Sequence, residues 1–86
     1  MRVIYSEQAL KSLKKLDKPV QRIIISYMEK IALLEEPRAR GKALSVNLRG
    51  FWRYRVGDYR ILCEIQDEKI VICVVDIDHR KNIYNR

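Results

Sequence analysis

Apolar residues along this chain keep two different spacings and change from one to the other only once. Up to Pro37 they recur every three or four residues, and from Phe51 they alternate every second residue. The first spacing lines one stripe of a helix, and the second lines one face of a strand. A chain that places helices first and a run of strands afterwards is α+β, with an antiparallel sheet carrying the helices on one face.

The boundaries follow from the residues between the periodic segments. Arg2-Val3-Ile4-Tyr5 reads as a short strand, and Ser6 can cap the following helix by accepting a backbone N–H. Leu10, Leu13 and Leu16 fall on one face of that helix. Asp17-Lys18-Pro19 then supplies a capping side chain and a proline near a first helical position, so a second helix starts there. Val20, Ile23, Ile24, Tyr27, Ile31 and Leu34 form its apolar stripe, and Pro37 ends it. Residues 38–42 are basic, contain Gly41 and are expected to form a loop. Strands are predicted over 51–56, 59–66 and 69–77, joined by the two-residue turns Gly57-Asp58 and Asp67-Glu68. The expected fold is therefore a short N-terminal strand, a two-helix hairpin and an antiparallel three-strand meander, in a single domain over 1–86 without internal repeats.

A two-residue turn at Gly57-Asp58 fixes the register of the first hairpin. Val56 then faces Tyr59, Arg55 faces Arg60, Tyr54 faces Ile61, Arg53 faces Leu62 and Trp52 faces Cys63. One face carries Trp52, Tyr54, Tyr59, Ile61, Cys63 and Ile65 and should pack under the helices. The other carries Arg53, Arg55, Arg60, Leu62 and Glu64. Alternate residues on a strand lie roughly 7 Å apart and opposed Cβ atoms about 5 Å apart, so three guanidiniums would share a patch suited to a phosphate or two. Two readings stand: a site for an anion, or the solvated side of a strand with Glu64, diagonal to Arg53, neutralising part of it.

Eighteen Lys+Arg against eleven Asp+Glu give a net charge of +7, which suits an anionic partner: nucleic acid, an acidic peptide or an anionic membrane. The longest apolar runs, 23–25 and 70–75, are far too short to span a bilayer, and no apolar signal segment opens the chain, so a cytoplasmic protein is expected. With one histidine and no Cys-x-x-Cys spacing, no metal site is expected, nor any cofactor. Cys63 and Cys73 sit in apolar strand segments and are expected as buried free thiols. The turn at Asp67-Glu68 would set Cys63 opposite Ile72 and Cys73 opposite Leu62, on different faces, which bars a disulfide.

The chain closes on Asp78, His79, Arg80, Lys81, Asn82, Ile83 and Tyr84. Together with Leu48-Arg49-Gly50 and the run from Trp52 to Ile61, this pattern resembles the RelE branch of the RelE/ParE toxin superfamily over nearly the whole chain. The resemblance implies the toxin of a type II toxin–antitoxin pair: a metal-independent, ribosome-dependent endoribonuclease. Such a messenger RNA interferase promotes attack of a ribose 2′-OH on the adjacent phosphate and so inhibits translation. It implies Arg53, Arg55, Arg60, His79, Arg80 and Tyr84 as catalytic residues, and Arg49, Lys81 and Arg86 as further RNA-binding residues. The implied partners are a cognate antitoxin protein, messenger RNA in the ribosomal A site, and the ribosome with its rRNA; no membrane is implied.

The chemistry agrees with that set in part. Transfer at phosphorus needs a base for the 2′-OH, cations around a phosphate gaining charge, and an acid for the departing 5′-oxygen. Arginine suits the middle task because its planar fork meets two phosphate oxygens and stays charged, which makes it a poor base. Some branches of the family carry lysines where this chain has Arg53 and Arg55. Imidazole changes charge around neutral pH, so His79 is assigned acid or base without a choice between them. Tyr84 stacks on a base, hydrogen-bonds the phosphate or anchors the C-terminus. Relatives often carry glycine where this chain has Asp78, whose carboxylate could orient the imidazole.

Two other functions fit the same fold. A ParE-like toxin inhibits a topoisomerase, DNA gyrase, by binding, without cutting RNA; a non-catalytic module would only hold an antitoxin or the ribosome. The tail with the strand arginines favours the nuclease.

Overall fold

Ser6 starts the first helix as its side chain predicts. Its Oγ accepts the Ala9 N–H at 3.0 Å and donates to the Val75 carbonyl at 2.6 Å, so the cap also ties the helix to the sheet. The computed structural model describes residues 1–44 and 50–79. It places strand β1 at Arg2–Tyr5, helices α1 at Glu7–Lys14 and α2 at Lys18–Leu33, and a 3₁₀ turn at Pro37–Ala39. Strands β2 (Lys42–Ala43), β3 (Trp52–Val56), β4 (Tyr59–Gln66) and β5 (Val71–His79) follow, with a second 3₁₀ turn at Asp67–Lys69 before β5.

Five strands form one mixed sheet in the order β1-β5-β4-β3-β2. The expected meander is its centre. β1 adds in parallel to β5 at one edge, and β2 adds antiparallel to β3 at the other. Residues 38–42, expected as a loop, thus contribute a 3₁₀ turn and the start of an edge strand.

Both helices lie on one face of the sheet. Ala9 and Leu13 of α1, with Ile24, Met28 and Ile31 of α2, close over Tyr54, Ile61, Cys63, Ile72, Val74 and Ile77. On a helix resting on a sheet only a narrow stripe is buried. Leu10 and Ile23 fall just outside it, 42% and 57% exposed, where the apolar spacing alone had put them in the core. Met28, which the predicted stripe left out, is fully buried.

The β3–β4 register is the predicted one at all five pairs, from Trp52 opposite Cys63 to Val56 opposite Tyr59. The β4–β5 register is not. After the 3₁₀ turn, Ile70 adopts a left-handed conformation at φ 56°, and its N–H reaches the Asp67 carbonyl at 3.1 Å. The connection is therefore longer than Asp67-Glu68, and Gln66 pairs with Val71. Cys63 faces Val74 and Cys73 faces Glu64, not Ile72 and Leu62. A displacement by an even number of residues keeps each side chain on its face. The thiols are accordingly free and on opposite sides; Cys63 is buried and Cys73 half-buried, and desolvation raises the pKa of both.

The register shifts again between Leu62 and Cys63: Cys63 pairs with Val74 but Leu62 with Asp76, which leaves Val75 as the extra residue of a bulge. Beyond it Ile61 faces Ile77, Arg60 faces Asp78 and Tyr59 faces His79. This last step decides where the end of β5 points.

Candidate functional site

Arg53 and Arg55 project from β3 on the face away from the helices. Arg55 is exposed and Arg53 half-buried. With Tyr27, Gly41 and Lys42 they line an open hollow of about 240 Å³ at the β2–β3 edge of the sheet. Arg53 faces Leu62 on one side and Lys42 on the other. Arg60 differs from both: it is only 4% exposed, between Arg55 on β3 and Asp78 on β5. It shares a smaller recess of about 50 Å³ with Arg55, Gly57 and Asp58. The three arginines expected in one patch thus form two overlapping groups, joined by Arg55. Glu64 does not neutralise Arg53; its carboxylate accepts from Gln66 Nε2 at 2.5 Å.

Lys42 was not among the residues singled out from the sequence, because a two-residue strand leaves no alternation to detect. Its position is nevertheless firmly set. The Tyr54 hydroxyl donates to the Pro37 carbonyl and Trp52 Nε1 to the Arg40 carbonyl, each at 2.7 Å. Gly41 lies at φ 82°, and a Cβ there would stand 2.6 Å from Trp52 Nε1, so only glycine permits this approach. Glu36 accepts the Arg38 N–H at 2.9 Å, and the Arg38 guanidinium grips Asp67 through two bonds of 2.9 and 2.8 Å. That bidentate bond raises the Arg38 pKa and holds the Asp67 carboxyl below its ordinary range.

His79 does not join the arginines. Facing Tyr59 across the ladder, it lies on the helix side of the sheet, with ring centroids 5.2 Å apart and planes at 86°. There it borders a second hollow, of about 480 Å³, with Gln8 and Ser12 of α1 and Lys15 at its C-terminal cap. Asp76 accepts from Ser12 Oγ at 3.0 Å and from the Ile77 N–H at 2.8 Å, which joins α1 to β5 beside this hollow. Asp78 stands opposite Arg60 across the ladder and also borders the hollow beside His79. The bulge is the cause, since one extra residue exchanges the faces of everything after it. Arg49, Arg80, Lys81, Tyr84 and Arg86 lie outside the described residues.

Two forked cations and an ammonium around one open hollow can take an oxyanion by bidentate hydrogen bonds and a point charge. Among the described residues no helix is long and apolar enough to cross a membrane.

Comparison with known proteins agrees with this architecture. A family model described as "ParE toxin of type II toxin-antitoxin system, parDE" matches residues 3–84. Toxin RelG of Mycobacterium tuberculosis is 41% identical over 54 residues, which is 63% of this chain and 62% of that relative's length. The toxin–antitoxin complex RelBE2 of M. tuberculosis contains a similar chain: TM-score 0.83 and 30% identity, covering 92% of this chain and 90% of that one. The isolated RelE toxin of E. coli shares the fold at TM-score 0.74 and 20% identity, over 98% of this chain and 90% of the other.

Proposed function

The chain belongs to the ParE toxin family of type II toxin–antitoxin systems and has the RelE-like fold, and from the cationic hollow on that fold we propose that it is a messenger RNA interferase. In this reading it is a metal-independent endoribonuclease that acts in the cytoplasm on messenger RNA held in the ribosomal A site. The observation that carries the proposal is the hollow in which Arg53 and Arg55 stand with Lys42. A phosphodiester seated there would place its oxygens against two guanidinium forks, which stabilise the charge that builds up as the ribose 2′-oxygen attacks phosphorus.

Arg60 adds its positive field from near the tip of the hairpin. Arg80 and Tyr84 complete the site from the C-terminal tail, with Arg49, Lys81 and Arg86 as further contacts to the RNA. His79 meets the RNA from the α1 side of the hairpin tip, which requires the strand to pass around Gly57 and Asp58.

A cognate antitoxin is the natural partner, since related chains were solved as toxin–antitoxin complexes. Acidic side chains of such a partner would cover the cationic hollow. A ParE-like action on DNA gyrase is the second reading, supported by the description of the matching family.

Expression of the chain without its antitoxin, followed by mapping of RNA ends by primer extension, separates the two. Cuts within translated codons are expected. DNA damage with intact transcripts would select the gyrase reading.

A further inference from the structure

Arginine leaves one part of the proposed chemistry undone. The departing 5′-oxygen needs a proton, and a guanidinium does not give one up in a protein. His79 is on the opposite face of the sheet from Arg53. Among the described residues, the hollow at the β2–β3 edge is lined by one amine, Lys42, and one phenol, Tyr27. Tyr27 approaches from α2 and is engaged edge-on by Tyr54, with ring centroids 6.1 Å apart. Lys42 is exposed on an edge strand and directly opposite Arg53, so its ammonium can reach the phosphate that Arg53 binds.

We propose that Lys42 is a further catalytic residue, the general acid for the leaving 5′-oxygen. The inference rests on the nuclease reading above. In the step, the 2′-oxygen bonds to phosphorus and loses its proton to water. The bond from phosphorus to the 5′-oxygen breaks with its electron pair on oxygen, and that oxygen takes a proton from Nζ of Lys42. The products are a 2′,3′-cyclic phosphate and a 5′-hydroxyl, and the neutral amine regains its proton from solvent. The contacts that pin residues 36–41 to β3 give Lys42 the fixed starting point such a transfer needs.

The test compares Lys42→Ala and Lys42→Arg with the unaltered chain on ribosomes programmed with ordinary messenger RNA. The same measurement is made with RNA carrying a bridging sulfur in place of the 5′-oxygen at the cleaved position. A thiolate departs without protonation. On ordinary RNA both variants should lose roughly 10²- to 10⁴-fold in rate, and on the sulfur substrate both should return to within a few-fold of the unaltered chain. Lys42→Arg keeping full activity on ordinary RNA, or no rescue by sulfur, would overturn the assignment while leaving the nuclease reading intact. Rescue seen with Tyr27→Phe instead would transfer the role to Tyr27. An unaltered chain that cuts neither RNA would overturn the nuclease reading itself, and Lys42 with it.

Discussion

Tyr54, fully buried, donates its hydroxyl to the carbonyl of Pro37 across 2.7 Å, and so fastens the segment after α2 to the central strand of the candidate site. Burial also pushes the phenol's pKa upward, so it remains a donor throughout the physiological range. Tyr54→Phe keeps the ring and orphans a buried acceptor. It should cost about 1–3 kcal/mol of stability, read by chemical denaturation, and should slow RNA cleavage by loosening the support of Lys42. Unchanged stability would mean that the carbonyl finds another donor.

Gly41 supports the same segment by a different route. Gly41→Ala forces a side chain into a left-handed conformation and against Trp52. The strain alone is about 1–2 kcal/mol, and the displaced segment should lower both the melting temperature and the cleavage rate. An alanine variant as stable as the parent would show that this backbone can relax.

Arg55 is the residue shared by the two cationic hollows and is exposed. Arg55→Ala should therefore cut the cleavage rate by roughly 10²- to 10³-fold with stability changed by no more than about 0.5 kcal/mol. Arg60 should behave differently because it is only 4% exposed. Arg60→Ala should reduce activity together with about 1–3 kcal/mol of stability. Thermal unfolding of the two variants side by side distinguishes a surface role from a buried one.

How far the sequence could be read depends on the length and regularity of each element. The β3–β4 hairpin was legible to the residue because Gly57 and Asp58 fit a two-residue turn and five alternating positions follow on each side. The β4–β5 connection was not, because Ile70 carries a positive φ that nothing about isoleucine announces. The bulge at Val75 was equally hidden, and it carries His79 to the helix side and sets Asp78 against Arg60. Lys42 escaped because its strand is two residues long. The pairing of Arg60 with Asp78 likewise required the bulge to be known.

Tyr5 offers a test on the far side of the molecule. Its hydroxyl is buried without a hydrogen-bond partner among the described residues, and desolvation pushes its pKa up to about 12. A folded-state pKa above the unfolded value favours folding fully below the unfolded value and loses that contribution as pH rises through the folded one. The melting temperature should therefore fall between about pH 10 and pH 12. Tyr5→Phe should flatten that decline and leave neutral-pH stability equal or higher. A decline of the same steepness in the phenylalanine variant would assign it to other groups.

The most direct measurement uses purified protein, ribosomes stalled with a defined codon in the A site, and end-labelled messenger RNA. The account predicts a single cut in that codon, leaving a 2′,3′-cyclic phosphate, without added metal and in the presence of a chelator, and no cut by the Arg53→Ala/Arg55→Ala double variant. Intact RNA under these conditions, or cleavage undiminished in the double variant, would contradict it.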